Sequence, residues 1–252
     1  MTHNRGRFLA AVAGVAFANL LVFMQLGIMG ALSTSTEAPY AMLNADIILS
    51  SQDGNTLTDG GRIPRARMFQ AFGVAGVADS TPLFIGNLPF NLDDGSAVSL
   101  LSFGMDVTKP KFASPLITTL FNSLTLENTA LLDEGTRGMP SSVIEKLKNG
   151  GRLRFETGGN TLTAIGTMDV GGGFLADGMM IMSDQTFLRV FPNRTSGGPN
   201  HILIQTDDGV ANDVVVSRLN DALPDGNIRI QSMQSSATND LAYMATERPT
   251  GI

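Results

Sequence analysis

The side chains able to carry acid–base, nucleophilic or metal chemistry are few in this sequence, and they are scattered. The 252 residues include no cysteine and two histidines, His3 and His201, which excludes thiolate nucleophiles, disulfides and multi-histidine metal cages. His201 opens an apolar run, and no serine near it sits in a G-x-S-x-G setting. It reads as a polar residue at a strand end, not as a general base. The pairs Asp93-Asp94 and Asp207-Asp208 could form a carboxylate dyad or ligate calcium, yet each is followed directly by glycine, the pattern of a solvated turn. Gly171-Gly172-Gly173 lacks the G-x-G-x-x-G spacing of a dinucleotide site, and no G-x-x-x-x-G-K-[ST] occurs to cradle a phosphate. Lys146, Lys148, Arg152 and Arg154 form a small basic cluster of the kind found on a solvated face. Met179, Met180 and Met182 read as core filling in preference to metal ligands. These residues predict no enzyme, no catalytic group, no metal and no cofactor.

Composition narrows the partners. The net charge is −6, which argues against non-specific binding of the bulk of the chain to nucleic acid or anionic lipid. Trp is absent and Tyr occurs twice, so stacking platforms for bases or sugars are scarce. Charged residues make up only 16% of the chain, well below the roughly 25% of a soluble domain, and this points to a membrane segment.

That segment is residues 8–32, FLAAVAGVAFANLLVFMQLGIMGAL, in which only Asn19 and Gln25 are clearly polar. A helix of that length spans roughly 37 Å at about 1.5 Å per residue, enough to cross a hydrocarbon core of about 30 Å with some tilt. Arg5 and Arg7 are the only formal charges before Glu37, which predicts a cytoplasmic N-terminus and an extracytoplasmic main domain. A cleaved signal peptide is the competing reading, with Ala31-Leu32-Ser33 as a weak cleavage site. Its apolar region usually runs about 7–15 residues, shorter than this one, so an uncleaved span is preferred. Within the span, Ala10, Gly14 and Ala18 fall four apart on one helical face with Asn19 beside it. Small residues at that spacing let a partner helix approach closely, and an amide in hydrocarbon prefers such a partner to lipid.

Beyond the span, turn chemistry and periodicity predict strands over residues 43–50, 81–90 and 96–106, with a helix over 62–72. The middle reads as a short helix or helical loop over 116–126, a strand over 127–134, and a helix over 140–149 capped by Ser141 or Ser142 and stopped at Gly150. Strands follow at 152–157, 161–166 and 179–182, the first two joined by Gly158-Gly159 as a hairpin. The last part reads as strand 201–207, helix 210–223 and strand 227–233, a βαβ unit.

Several segments in order resemble the permease subunit of DevC-like (heterocyst-type) ABC exporters, related to macrolide-exporter and lipoprotein-release permeases. They are RFLAAVAGVAFANLLVFMQLGIMGAL, LNADIILSS, RARMFQAFGVAGVADSTPLFIGN, LLSFGMDVTKPKF, GGGFLADGMMIMSDQTFLRVFP and the closing LAYMATERPTGI. The resemblance implies an α+β protein: one N-terminal transmembrane helix, then a periplasmic porter-like α/β domain with a β-rich inserted subdomain. Residues 1–36 are then the cytoplasmic tail and span, 37–108 the first part of the porter-like domain, and 109–198 the insertion. Residues 199–233 are its last βαβ part, and 234–252 return toward a second span. It further implies a separate ATPase subunit, a second permease copy as homodimer, a periplasmic adaptor, an outer-membrane channel, and glycolipid-like or amphiphilic cargo. Family members continue into further spans where Pro249, Thr250, Gly251 and Ile252 match their motif. The chain is accordingly read as the anchored portion of an export permease, or alternatively as a truncated single-span interaction or adaptor protein derived from one.

Overall fold

The computed structural model describes residues 5–59, 61–91, 97–157, 159–171, 176–224 and 226–246. Helix α1 (Arg5–Ala41) is the one helix among them long and apolar enough to cross a membrane. Its apolar stretch is exposed, none of it buried by the described residues, and the helix runs two to three turns past that stretch before ending.

The remainder is a mixed α/β domain. Its strands are β1 (Ile47–Ser51), β2 (Val77–Asn91), β3 (Ala97–Met105), β4 (Thr129–Asp133), β5 (Leu153–Thr157), β6 (Asn160–Met168), β7 (Gly178–Ser183), β8 (His201–Thr206) and β9 (Ile228–Ser232). They form one sheet in the order β5-β6-β4-β7-β3-β2-β8-β1-β9. The helices are α2 (Ala66–Phe72), α3 (Pro115–Phe121), α4 (Ser141–Lys148), α5 (Asp184–Val190), α6 (Asn212–Ala222) and α7 (Met233–Thr246).

Strands buried on both faces need no polar alternation, and β1, β4 and β7 are accordingly continuous apolar or small-residue runs. Successive side chains there enter opposite cores: Ile48, Leu131 and Ile181 face one, with α3 and the end of α1, and their neighbours face the other. The second face is lined by α2 and α6 over β1, β8 and β9, and by α4 and α5 farther along. Long β2 joins the two halves, pairing with β8 through Leu83 and with β3 from Leu83 to Asn91. Beyond it the sheet curls until β5 meets β2 again. Phe155 packs edge-on against Phe90 with centroids 4.5 Å apart, and the Thr157 hydroxyl donates to the Pro89 carbonyl. Residues 109–198 supply β4 to β7 and thus this curled half.

Several local expectations change. The strand expected from residue 43 starts at Ile47, because Leu43 and Asn44 bridge to Ala113 and Phe112. The helix expected over 62–72 starts at Ala66, since Pro64 and Arg65 use their carbonyls on the first-turn amides. Neither Ser141 nor Ser142 caps α4: Pro140 holds the cap position, extended, and its carbonyl takes the Val143 amide. The β8-α6-β9 unit is split, with β1 inserted between its parallel strands and antiparallel to both. Helix α5 was not expected. It follows β7 without a break because the Ser183 hydroxyl accepts from the Thr186 amide at 3.1 Å and starts the helix there. Helix α7 was expected only as a return segment. The turn Asp93-Asp94 lies outside the described residues, as do His3, Gly158 and Gly172-Gly173.

Candidate functional site

The structure converges on the junction where α1 enters the domain. At this junction Ala38 and Met42 leave the bare helix surface and enter the same core as Ile48 and Leu203. Pro39 lies inside this last part of α1, where its missing N–H frees the Ser35 carbonyl from the helical ladder. Helix α7 runs antiparallel beside it, Tyr40 meeting Ser236 and Asp240, and Thr36 lying near Met244.

A buried polar knot ties these helices to the sheet. The Tyr40 hydroxyl donates to Asp240 Oδ2 at 2.7 Å and lies 2.9 Å from the Ser236 hydroxyl. The same Asp240 oxygen accepts the Leu57 amide at 2.7 Å. The Leu57 carbonyl is 2.8 Å from His201 Nε2, and His201 Nδ1 is 2.8 Å from the Ser50 hydroxyl. A carbonyl only accepts, so Nε2 carries the proton and Nδ1 accepts from Ser50. The loop carrying Leu57 is closely wound at Gly54 and Gly61. A Cβ at Gly54 would sit 2.9 Å from the Asp59 carbonyl, and one at Gly61 would sit 2.8 Å from Ser51 Cβ. Buried Asn200 pins the loop by donating to the Gly61 carbonyl, while its own oxygen accepts from the Ile85 amide of β2. One connected set of contacts thus reaches from α1 and α7, through the loop, to β1, β8 and β2.

Burial dominates the electrostatics. It pushes the Asp240 carboxyl up, against the Leu57 and Tyr40 hydrogen bonds that lower it. It also pushes the His201 imidazole from 6.5 down to about 4, so the ring is neutral. Such a base binds its proton more weakly folded than unfolded, so stability falls as pH drops through this window. From pH 6.5 to 4 the loss is expected to reach about 3 kcal/mol, at about 1.4 kcal/mol per pH unit. The raised Asp240 carboxyl acts with the opposite sign. The difference between the wild-type chain and His201→Gln, followed by urea unfolding across that range, therefore isolates the histidine. Equal pH slopes in the two proteins would refute its neutral burial.

The residues singled out from sequence fall elsewhere. Ala10, Gly14, Ala18 and Asn19 are exposed on the bare part of α1, and a Cβ at Gly14 would meet nothing within 4 Å. Asp207 and Asp208 are exposed in the turn before α6, with Gly209 at φ +78°. The Gly171 amide is already used within the fold, donating to Asp133 Oδ1 at 3.0 Å. Lys146, Lys148, Arg152 and Arg154 are exposed, with Lys148 paired to Glu134 at 2.8 Å. Met179, Met180 and Met182 are buried, alternating between the two cores. Among the described residues no group of three or more His, Asp or Glu could hold a metal. Sequence reasoning missed Tyr40 and Asp240. The available signal was the spacing Ser236, Asp240, Met244, one helical face with a lone acid on it.

The fold and this junction define a domain built on a membrane helix, mixed α/β in class, with its entering and returning helices tied together. No protein-family model matches the sequence, and no curated protein matches it significantly. Among solved structures it is similar to the extracellular domain of the noncanonic ABC-type transporter YknZ from Gram-positive bacteria. Identity there is 12% and the TM-score 0.47, covering 75% of this chain and 100% of that one. It is also similar to the periplasmic region of MacB from Actinobacillus actinomycetemcomitans, at 10% identity and TM-score 0.47, covering 84% and 97%.

Proposed function

We propose that this chain is the membrane-anchored extracytoplasmic portion of an ABC exporter permease of the DevC-like kind, a transport component with no enzymatic activity of its own. The observation that carries the reading is α7. It turns the chain back along α1 toward the apolar span and is locked to it by Tyr40 and Asp240, as a domain standing between two membrane helices requires. The ordered resemblance of the sequence segments supports it, and Arg5 and Arg7 favour a cytoplasmic N-terminus with the domain in the periplasm. On this reading a separate subunit hydrolyses ATP, and two permease copies pair. A periplasmic adaptor and outer-membrane channel receive glycolipid-like or amphiphilic cargo. The knot makes a shift of α1 a shift of the sheet.

The test is purification of the full gene product from its native membrane in mild detergent. An ATP-hydrolysing subunit and a second copy are expected to accompany it. In the same preparation Gly14→Leu is expected to reduce crosslinking of α1 to a neighbouring span at least several-fold while leaving the domain folded, because the small-residue face no longer admits a close helix. A lone single-span protein without ATPase would overturn the transport reading in favour of a periplasmic interaction protein. Unchanged crosslinking would remove the packing face.

A further inference from the structure

The two ends of the sheet are treated differently. At one end β5 curls back onto β2, and the exposed face of β5 alternates Arg154 and Glu156, charges of the kind that block edge-to-edge pairing. At the other end β9 pairs only with β1, and no strand among the described residues lies on its far side. The Asn227 carbonyl accepts from Gln52 and the Met233 amide donates to Asp46, so odd-numbered positions face β1. By the two-residue alternation of an antiparallel ladder, the N–H and C=O groups of Ile228, Ile230 and Ser232 point outward. This edge lacks the usual guards. It carries no proline or lysine, and its one charge, Arg229, turns its guanidinium back onto the Gly54 carbonyl.

Beside the edge runs a groove of about 710 Å³, walled by Ile230, Gln231 and Ser232 on one side and by Asn212, Asp213 and Val216 of α6 on the other. Asp46 also lines it, its carboxylate accepting from the Thr206 amide and hydroxyl of β8, and it lines a neighbouring hollow with Asp207 and Asp208 as well. An open strand edge parallel to a helix, with a groove between them, is the geometry in which an extended peptide adds as a further strand. The backbone edge demands an extended polypeptide. The exposed carboxylates of Asp213 in the groove, and of Asp207 and Asp208 in the adjoining hollow, favour a basic one.

We infer that β9 and α6 form a docking groove for an extended, basic segment of a partner protein, which adds to the sheet as a tenth strand beside β9. An apolar side chain of that segment lies over Ile230 and Val216, and a lysine or arginine meets Asp213. The inference stands on the edge and its groove, independently of which transporter the chain serves.

The test uses the full chain in detergent and a fluorescein-labelled heptapeptide of alternating valine and lysine. Binding should protect the Ile228, Ile230 and Ser232 amides from hydrogen exchange, which in the free chain exchange faster than those of Arg229 and Gln231. N-methylation of alternate peptide amides should weaken binding at least tenfold in one phase and leave it unchanged in the other, because only one set faces β9. Asp213→Lys, an exposed substitution, should weaken binding five- to tenfold. The inference is overturned if the peptide leaves those three amides unprotected at millimolar concentration, or if the two methylation phases act alike. It is also overturned if raising the protein concentration alone protects the edge, since the occupant is then a second copy.

Discussion

Asp240→Ala is expected to destabilise the domain by about 3 kcal/mol, since it strands the buried Leu57 amide and removes the acceptor of Tyr40. Both donors use a single oxygen, Oδ2, so Asp240→Asn, which can present an amide oxygen in the same place, should cost much less. Tyr40→Phe should cost about 1 kcal/mol, as for the loss of one hydrogen bond. Combined with Asp240→Ala it should add less than its separate cost, because the two share a partner. Urea unfolding in detergent, with a spin-label distance between the ends of α1 and α7, measures both stability and separation. Full additivity of the two substitutions, or an Asp240→Ala cost under about 1 kcal/mol, would mean that the knot does not hold the helices to the loop.

Phe187→Ala is expected to cost about 3–5 kcal/mol, the range for deleting a fully buried phenylalanine. Its ring stacks on Phe191 with centroids 4.2 Å apart and tilts against Phe84 at 5.8 Å. Beneath it lies Gly104 of β3, where an added Cβ would fall 2.5 Å from Phe187 Cβ. The helix therefore rides on a notch in the strand that only glycine provides. Gly104→Ala should itself cost about 2–3 kcal/mol through overpacking. The double variant should recover only part of the Gly104→Ala cost, because alanine at 187 removes the crowding ring carbons but keeps the Cβ that lies 2.5 Å from the added methyl. Thermal and urea unfolding of the three variants decide it. A Phe187→Ala cost below about 1 kcal/mol would show that α5 does not pack on β3.

These two sites differ in how far the sequence announced them. The βα step into α5 was legible in principle, because Ser183 with Asp184 directly after it is a helix-start signal, but the helix is only seven residues long and follows an unbroken apolar strand, so periodicity does not reveal it. Doubly buried strands read as unbroken apolar segments, which periodicity cannot separate from a buried helix. The Ser236, Asp240, Met244 spacing marks a face of α7, but the pairing of Asp240 with Tyr40 was not legible. Its members are 200 positions apart, and neither carries a local signature of its partner.

What the sequence alone determined is local or compositional. Residues 8–32 are long and apolar enough to cross a bilayer, and among the described residues nothing buries them. The turn at Asp208-Gly209 and the helical spacing of Val215 and Leu219 follow from residue types and intervals of a few positions. Only the tertiary structure decided the rest. The insertion of β1 between β8 and β9, the curling of β5 onto β2, the open edge of β9 and the knot at α1 are all pairings across long chain separations. They are set by which buried faces and unpaired backbone groups can be satisfied together, and that is a property of the whole sheet that no single segment encodes.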